Sequence, residues 1–284
     1  MMRKIRSILI ITNKEKTLAR KILNQMQGYF HEKNICTHVI AYQGGVRRLV
    51  NEDIDLAISL GGDGTLLYCA RLVCEYQIPI MGINLGDFGF LTEIRCDEWK
   101  SAFEAYVEGV LTLSRRSMLQ VQVHRGETLF PVLIGLNDAV VCSNGISKII
   151  KLSLNLSSSN VGRYRADGVI VSTATGSTAY SMAAGGPILH PEMEAMILNP
   201  ICPFTLSNRP LVVPMNETIG IEIEKEQRTE IILTVDGYDI FPLAPLDKII
   251  IKRSEHTGLI VNSHKRNFYE VLRSKLNWSG EPNA

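Results

Sequence analysis

Residues Asp55 to Tyr76 read DLAISLGGDGTLLYCARLVCEY: an apolar run ending at Leu60, the loop Gly61-Gly62-Asp63-Gly64-Thr65, and a helical stretch from Leu66 to Tyr76. Strand, glycine turn and helix in direct succession form a phosphate-site geometry. Glycines lacking Cβ take positive φ and let the backbone approach an anion, while the N–H groups at a helix start point at it. Asp63 is out of place in a simple anion cradle. A carboxylate beside a polyphosphate is repelled unless it holds a metal or removes a proton, so its position argues for a reaction. The alternative is a tight turn in which Asp63 merely caps the helix. The loop is not a Walker loop, which ends in Gly-Lys-Ser/Thr. Nor is it a dinucleotide fingerprint, because the first strand leads into Thr12-Asn13-Lys14. Hydride transfer is therefore disfavoured.

Outward from this loop the first third of the chain alternates. Ser7 to Thr12 predicts a strand, and Lys14 to His31 a helix with Leu18, Ile22, Leu23, Met26 and Phe30 at helical intervals. Thr37 to Ala41, Leu56 to Leu60 and Ile80 to Asn84 predict further strands, and Cys96 to Glu108 a helix carrying Trp99, Phe103 and Tyr106. That rhythm predicts a parallel α/β domain over residues 1–110. From Leu119 the period changes to two, in Leu119 to His124, Leu152 to Leu156, Val169 to Thr173, Ile219 to Glu224, Ile231 to Asp236 and Lys248 to Lys252. A β-rich domain over 111–264 follows, with a helix after Thr178 and a turn at Asp236-Gly237. Phe268 to Leu276, with Val271, Leu272 and Leu276, predicts an amphipathic closing helix that packs back on the first domain, so 265–284 is assigned there.

Of the 284 residues, 45% are hydrophobic and 21% charged, which excludes a disordered chain. The longest apolar runs are strand-sized, short of the roughly 18 to 20 residues a membrane span needs. The basic start, Met1 to Arg6, is followed by no small-residue cleavage site, so the chain is expected in the cytoplasm. Thirty basic against twenty-nine acidic residues leave +1, no electrostatic reason for nucleic acid or membrane as partner. Cys36, Cys69, Cys74, Cys96, Cys142 and Cys202 contain no C-x-x-C pair and read as free thiols. The six histidines, His264 among them, show no metal-ligand spacing, so no metal site built from side chains is assigned.

Two further clusters carry chemistry. Tyr164 to Pro191, YRADGVIVSTATGSTAYSMAAGGPILHP, contains Arg165-Ala166-Asp167-Gly168 and then a run of small hydroxyl residues from Ser172 to Tyr180. Small residues make room for a flat ring, hydroxyls and backbone amides read a base edge, and Tyr180 offers a stacking face or a phenolic hydrogen bond. A Ser/Thr-capped helix start packed by Ala183 and Ala184 would read the same way. Asn137-Asp138, at the end of the apolar run Val132 to Leu136, pairs an amide with a carboxylate, a combination that grips vicinal ribose hydroxyls or simply caps a strand. G-x-S-x-G is absent, so a nucleophile-elbow hydrolase is unsupported.

Together these clusters resemble the NAD kinase family, over most of the chain. The resemblance rests on Gly61 to Thr65, on Gly82-Ile83-Asn84 with Phe88-Gly89-Phe90-Leu91, on Leu136-Asn137-Asp138, on Tyr164 to Pro191, on Leu206 to Pro214 and on Phe268 to Trp278. It implies phosphoryl transfer from ATP, with Mg²⁺ or another divalent cation, to the adenosine-ribose 2′-hydroxyl of NAD. The implied fold is an α/β domain plus a β-rich domain with the site between them, in a homo-oligomer, dimer or tetramer. By the resemblance Asp63 is the general base and Gly64 belongs to its loop. Asn137 and Asp138 contact the dinucleotide. Asp167, Thr175, Thr178, Ala179, Tyr180, Ser181, Met182 and Ala183 fall on the segment that holds NAD, and Phe90 flanks it. Lys148 and Arg165 match positions that are often basic, and Tyr238 follows the turn that closes the pocket. Two departures stand out: Ala174 replaces a common proline, which would loosen its turn, and Asp87 stands where a basic residue is common, near the expected donor path. The rivals are a lipid kinase of the diacylglycerol or sphingosine kinase type, which shares the Gly-Gly-Asp-Gly loop, and a non-catalytic NAD(P)-sensing module.

Overall fold

The computed structural model describes residues 3–42, 53–86, 89–145, 148–157, 159–205, 207–263 and 265–278. Its backbone divides into two compact units, Met1–Arg115 with Gly258–Ala284, and Arg116–Thr257. Asp87, Phe88, Leu206 and His264 lie outside the described residues.

The first unit is built on β1 (Ser7–Thr12), β2 (Cys36–Ala41), β3 (Leu56–Gly61) and β4 (Ile80–Asn84), all parallel in the order β4-β3-β1-β2. The strands are apolar throughout because helices cover both faces. Ile8, Ile10, Leu56, Ile58, Met81 and Ile83 share one core with α1 (Thr17–Glu32) and α3 (Trp99–Val107), where Tyr29, Phe30, Trp99 and Phe103 meet edge to face. On the alternate face α2 (Asp63–Val73) packs on β3 and β4, and Gly82 leaves room for Leu66. A short strand, β5 (Ile94–Arg95), pairs with β4. α1 starts later than its periodicity predicts because the Asn13 side chain accepts the Glu15 N–H in a turn. α2 starts earlier, at Asp63, and ends at Val73 in a 3-10 turn, Cys74–Tyr76. α3 begins at Trp99, the preceding residues being drawn into a turn by the Arg95 N–H to Glu98 bond.

The second unit is a sandwich of two antiparallel sheets. One holds β9 (Asp138–Ser143), β12 (Gly168–Thr173), β13 (Ala195–Ile201), β14 (Leu211–Pro214), β16 (Ile231–Val235) and β17 (Phe241–Leu243) in the order β14-β13-β12-β9-β16-β17. The other holds β11 (Ser159–Ala166), β10 (Ile150–Leu156), β15 (Ile219–Ile223) and β18 (Lys248–Val261), with β6 (Leu113–Arg125) beside β18 and the short β7 (Thr128–Leu129) and β8 (Leu133–Gly135) on β6. Alternate residues from both sheets, such as Leu152, Ile221 and Ile249 against Val169, Leu198 and Leu233, form one core.

Two further elements differ from expectation. β18 runs to Val261 instead of ending at Lys252, and its last residues belong to the first unit, where Ile260 pairs with Ile80. The helix after Thr178 is a single turn, α4 (Tyr180–Ala183), preceded by a 3-10 turn at Thr175–Thr178 and stopped by Gly185, which takes φ +80°. α5 (Phe268–Leu276) has the predicted bounds, begins with a capping box of Asn267 and Glu270, and belongs to the first unit. Arg266, just before it, donates to both carboxylate oxygens of Glu98 at 2.8 and 3.0 Å.

Candidate active site

In the first unit the chemistry gathers where β3 and β4 end. Gly62 is extended (φ −108°, ψ −168°) and no side chain caps α2, so Asp63 is not the cap that the plain-turn alternative required. Its carboxylate reaches across to the segment 90–92. Oδ2 accepts the Phe90 N–H at 2.8 Å; Oδ1 accepts the N–H groups of Leu91 and Thr92 at 3.2 and 3.1 Å and the Thr92 hydroxyl at 3.0 Å. The Thr92 oxygen in turn accepts from Asn84 Nδ2 at 2.8 Å, and Asn84 Oδ1 takes the Gly86 N–H at 2.7 Å. A relay of fixed direction thus runs from the end of β4 to the carboxylate, with the single Thr92 hydroxyl proton committed to Asp63. Oδ1 has three donors and Oδ2 one among the described residues, so Oδ2 is the oxygen with capacity for a further proton. Gly89 lets this happen, since a Cβ there would overlap the Asp63 carboxyl group. Gly64 is exposed in the first turn of α2, and Phe90 is half-buried.

In the second unit Asn137 and Asp138 stand at the head of β9, where Asp138 is in register with Ser172 of β12. The hydroxyl-rich turn is stitched to this point. The Thr173 N–H donates to Asn137 O at 2.8 Å, the Thr173 hydroxyl to Leu136 O at 2.7 Å, and Gly176 sits so close to the Asn137 backbone that a Cβ would overlap it. Ser177 bonds Ala174 O and receives the Leu189 N–H, and Asn199 donates to Ser181 O at 2.9 Å. Much of the small-residue run therefore shapes the backbone rather than facing a ligand. Three side-chain atoms here escape that use: Asn137 Oδ1, Thr175 Oγ1 and Asn199 Oδ1 are buried without a partner among the described residues. Buried polar atoms without partners are rare, and here they mark positions at which a bound polar group would be met.

Asp138 is buried, and burial first, then the charge of Asp236, push its carboxyl up to about 7. Asp236 accepts the N–H groups of Leu136, Asn137 and Asp138. Tyr180 is exposed and its phenol is raised, by burial and by Cys142, Cys202, Asp138 and Asp167. Thr178 and Ser181 are buried, Asp167, Ala179 and Met182 half-buried, and Ala183 exposed. Tyr238 closes the turn after β16 through its N–H to Val235 O at 3.0 Å. Ala174 has φ −59°, the proline conformation, so the departure from proline leaves the turn intact.

Lys148 and Arg165 line a concavity of about 620 Å³ with Lys151, Arg163 and Arg228; Asn137, Asp138 and the 175–183 turn are not among its walls. Arg165 rests over the Phe204 ring at 4.7 Å. Sequence reasoning assigned no role to Asn84, Thr92 or Asp236. Asn84 at a strand end and the Asp236-Gly237 turn were the visible signals; Thr92 and Asp236 act on groups distant in sequence.

Comparison with known proteins adds to this geometry. A family model described as the ATP-NAD kinase N-terminal domain matches residues 8–111, and one described as the ATP-NAD kinase C-terminal domain matches 136–263. The chain is 43% identical over 277 residues to an NAD kinase of Treponema denticola, covering 97% of this chain and 98% of that one. It is 40% identical to an NAD kinase of Geotalea daltonii, covering 87% of each. Among solved structures, an NAD kinase from Archaeoglobus fulgidus in complex with ATP superposes with a TM-score of 0.75 at 28% identity, over 94% of this chain and 98% of that one. Yeast NADH kinase complexed with NADH shares the fold, with a TM-score of 0.88 at 23% identity over 99% and 90%.

Proposed function

The chain belongs to the NAD kinase family, and from that premise we propose that it transfers the γ-phosphoryl group of ATP to the 2′-hydroxyl of the adenosine ribose of NAD, giving NADP, with Asp63 as the proton acceptor. The observation that carries the role of Asp63 is its fixed carboxylate, in which Oδ1 is filled with donors and Oδ2 is not. A ribose hydroxyl is a poor nucleophile at neutral pH. A carboxylate within hydrogen-bond reach accepts its proton as the O–P bond forms, an effect of order 10² to 10⁴ in rate. Positioning and charge neutralisation do the rest, as in other phosphoryl transfers.

Asn137 and Asp138 hold ribose hydroxyls, and the 175–183 turn, with the buried Thr175 hydroxyl, reads the rest of the dinucleotide. Against a lipid acceptor stand the buried Asn137 Oδ1 and Thr175 Oγ1, without partners among the described residues, which call for polar ligand groups. The divalent cation enters on the phosphates of the donor. Its ligands are the donor's phosphate oxygens and water. Among the described residues no helix is long and apolar enough to cross a membrane. Work in the cytoplasm as a homo-oligomer, dimer or tetramer, belongs to the same proposal, supported by the half-exposed Leu211 and Val212 on the edge strand β14.

Incubating the purified protein with ATP, Mg²⁺ and NAD should yield NADP. NAD lacking the adenosine 2′-hydroxyl should bind competitively and accept no phosphate, whereas the analogue lacking the nicotinamide-side hydroxyl should still be phosphorylated. Phosphate on the first analogue would overturn the assignment of acceptor and base.

A further inference from the structure

The turn after β16 does more than reverse the chain. Asp236 adopts φ +52°, the left-handed region that Asn and Asp enter more readily than other side chains. From there its carboxylate accepts three consecutive backbone donors, Leu136 N–H at 2.8 Å, Asn137 N–H at 2.7 Å and Asp138 N–H at 3.2 Å, while its own N–H donates to Asp138 O at 2.9 Å. The Asn137 carbonyl is taken by the Thr173 N–H. Both backbone groups of Asn137 are thus spent on holding it still, which leaves its side-chain amide, whose Oδ1 is buried without a partner among the described residues. A carboxylate buried at the head of a strand to do this costs desolvation, which three N–H donors offset.

We infer that Asp236 is a positioning residue for the acceptor: its carboxylate locks Asn137 and Asp138 so that the Asn137 amide oxygen and the Asp138 carboxylate are offered together to the two hydroxyls of a ribose. The inference rests on the kinase reading above. A vicinal diol carries two donors a fixed distance apart, and two acceptors on adjacent residues match it only while the backbone between them is held in a single conformation.

The arrangement has an electrostatic consequence. Asp236 faces Asp138 from the turn after β16, and Tyr180 faces it from α4; Asp167, Cys142 and Cys202 are the other titratable groups acting on that tyrosine. Burial and the Asp236 charge hold the Asp138 acid up to about 7, so its acceptor form gains population as pH rises through neutrality.

The test is steady-state NADP formation by the full chain and by Asp236→Asn, which keeps the size and the left-handed preference but puts an NH₂ opposite one backbone donor and removes the charge. The expected result is a rise of at least tenfold in KM for NAD, with kcat and the KM for ATP within about threefold. In the unaltered enzyme kcat/KM for NAD should rise through about pH 7, and in the variant this inflection should move to lower pH. Asp236→Ser serves as a second uncharged variant. A folded variant with an unchanged KM for NAD, or with an inflection that does not move, overturns the inference and leaves the kinase reading standing. If neither variant folds, Asp236→Glu, which keeps the charge but displaces the carboxylate from its three backbone donors, decides: a KM for NAD raised at least tenfold with kcat within about threefold upholds the inference, and an unchanged KM overturns it. Absence of NADP from the unaltered protein overturns the kinase reading and the inference with it.

Discussion

Gly89 lies directly against the carboxylate of Asp63, with no space for a side chain between them. The glycine is there for its size: backbone N–H groups from 90–92 close on the carboxylate only because nothing projects at 89. Gly89→Ala should push the Asp63 carboxyl out of this nest and lower kcat by at least about 100-fold, about 2.7 kcal/mol at 1.36 kcal/mol per decade. NAD affinity should hold within a few fold. Near-normal kcat with a folded variant would show that Asp63 does not need its nest.

Asp63→Asn tests the base itself. The amide keeps the shape but loses the proton acceptor and sets its NH₂ against a backbone donor, so turnover should fall by at least about two orders of magnitude while NAD affinity, measured by calorimetry, stays within a few fold. Thr92→Val, which removes one donor to Asp63 and breaks the link to Asn84, should lower kcat by a smaller factor, about tenfold, with KM for NAD unchanged.

Asp138→Asn should separate stability from function. The Asp138 carboxyl is raised from 3.8 to about 7 in the folded chain, so the native state holds its proton more tightly than the unfolded one. The stability from this group is full below about pH 4 and lost as pH rises through about 7. At pH 8 the amide should therefore raise stability, by up to about 4 kcal/mol at 1.36 kcal/mol per pKa unit, and near pH 4 it should make little difference. NAD binding should weaken by about 1 to 3 kcal/mol. Denaturant titrations at both pH values and calorimetry check it; equal stability at pH 4 and 8 would contradict the burial argument.

Arg266→Ala should loosen the end of the chain. The Arg266 hydrogen bond is the largest cause that holds the Glu98 carboxyl down at about 2, so this pair stabilises the fold above the ordinary carboxylate range and is lost as pH falls through about 2. Removing the guanidinium leaves Glu98, whose side chain is only 14% exposed, with weaker partners, a cost of about 1 to 3 kcal/mol. Amide exchange across Phe268–Leu276 should accelerate more than exchange in β1 or β3; a uniform change would place the pair's effect elsewhere.

The strand, loop and helix around Gly61 to Thr65 were legible because an apolar run, glycines and a helical period stand next to one another in sequence. The true start of α2 was not, since Asp63 and Gly64 carry no periodic apolar signal although they are its first residues. β18 was read short because Lys252, Arg253 and Glu255 face solvent and hide its continuation into Leu259–Val261. Asn137-Asp138 was visible as a dipeptide, but what orients it, Asp236, is about a hundred residues away and announced itself only as a turn. Lys148 and Arg165 could be assigned a basic character from sequence, but not the concavity they line with Lys151, Arg163 and Arg228, which residues distant in sequence build together.

The path of β18 bears on how the protein is made. The first part of the unit that carries Asp63 is synthesised ahead of the sandwich, yet it lacks the strand end that pairs with Ile80 and the Arg266 clasp on Glu98 until the chain has passed Gly258. Arg116–Thr257 must first emerge, which at ribosomal speeds takes on the order of 10 s. During that interval the edge of β4 and the Glu98 carboxylate await partners, while the inserted sandwich has nearly all of its own strands. The unit begun before the sandwich is thus completed after it, and a nascent chain stalled before Gly258 would hold the Asp63 loop in an unfinished sheet.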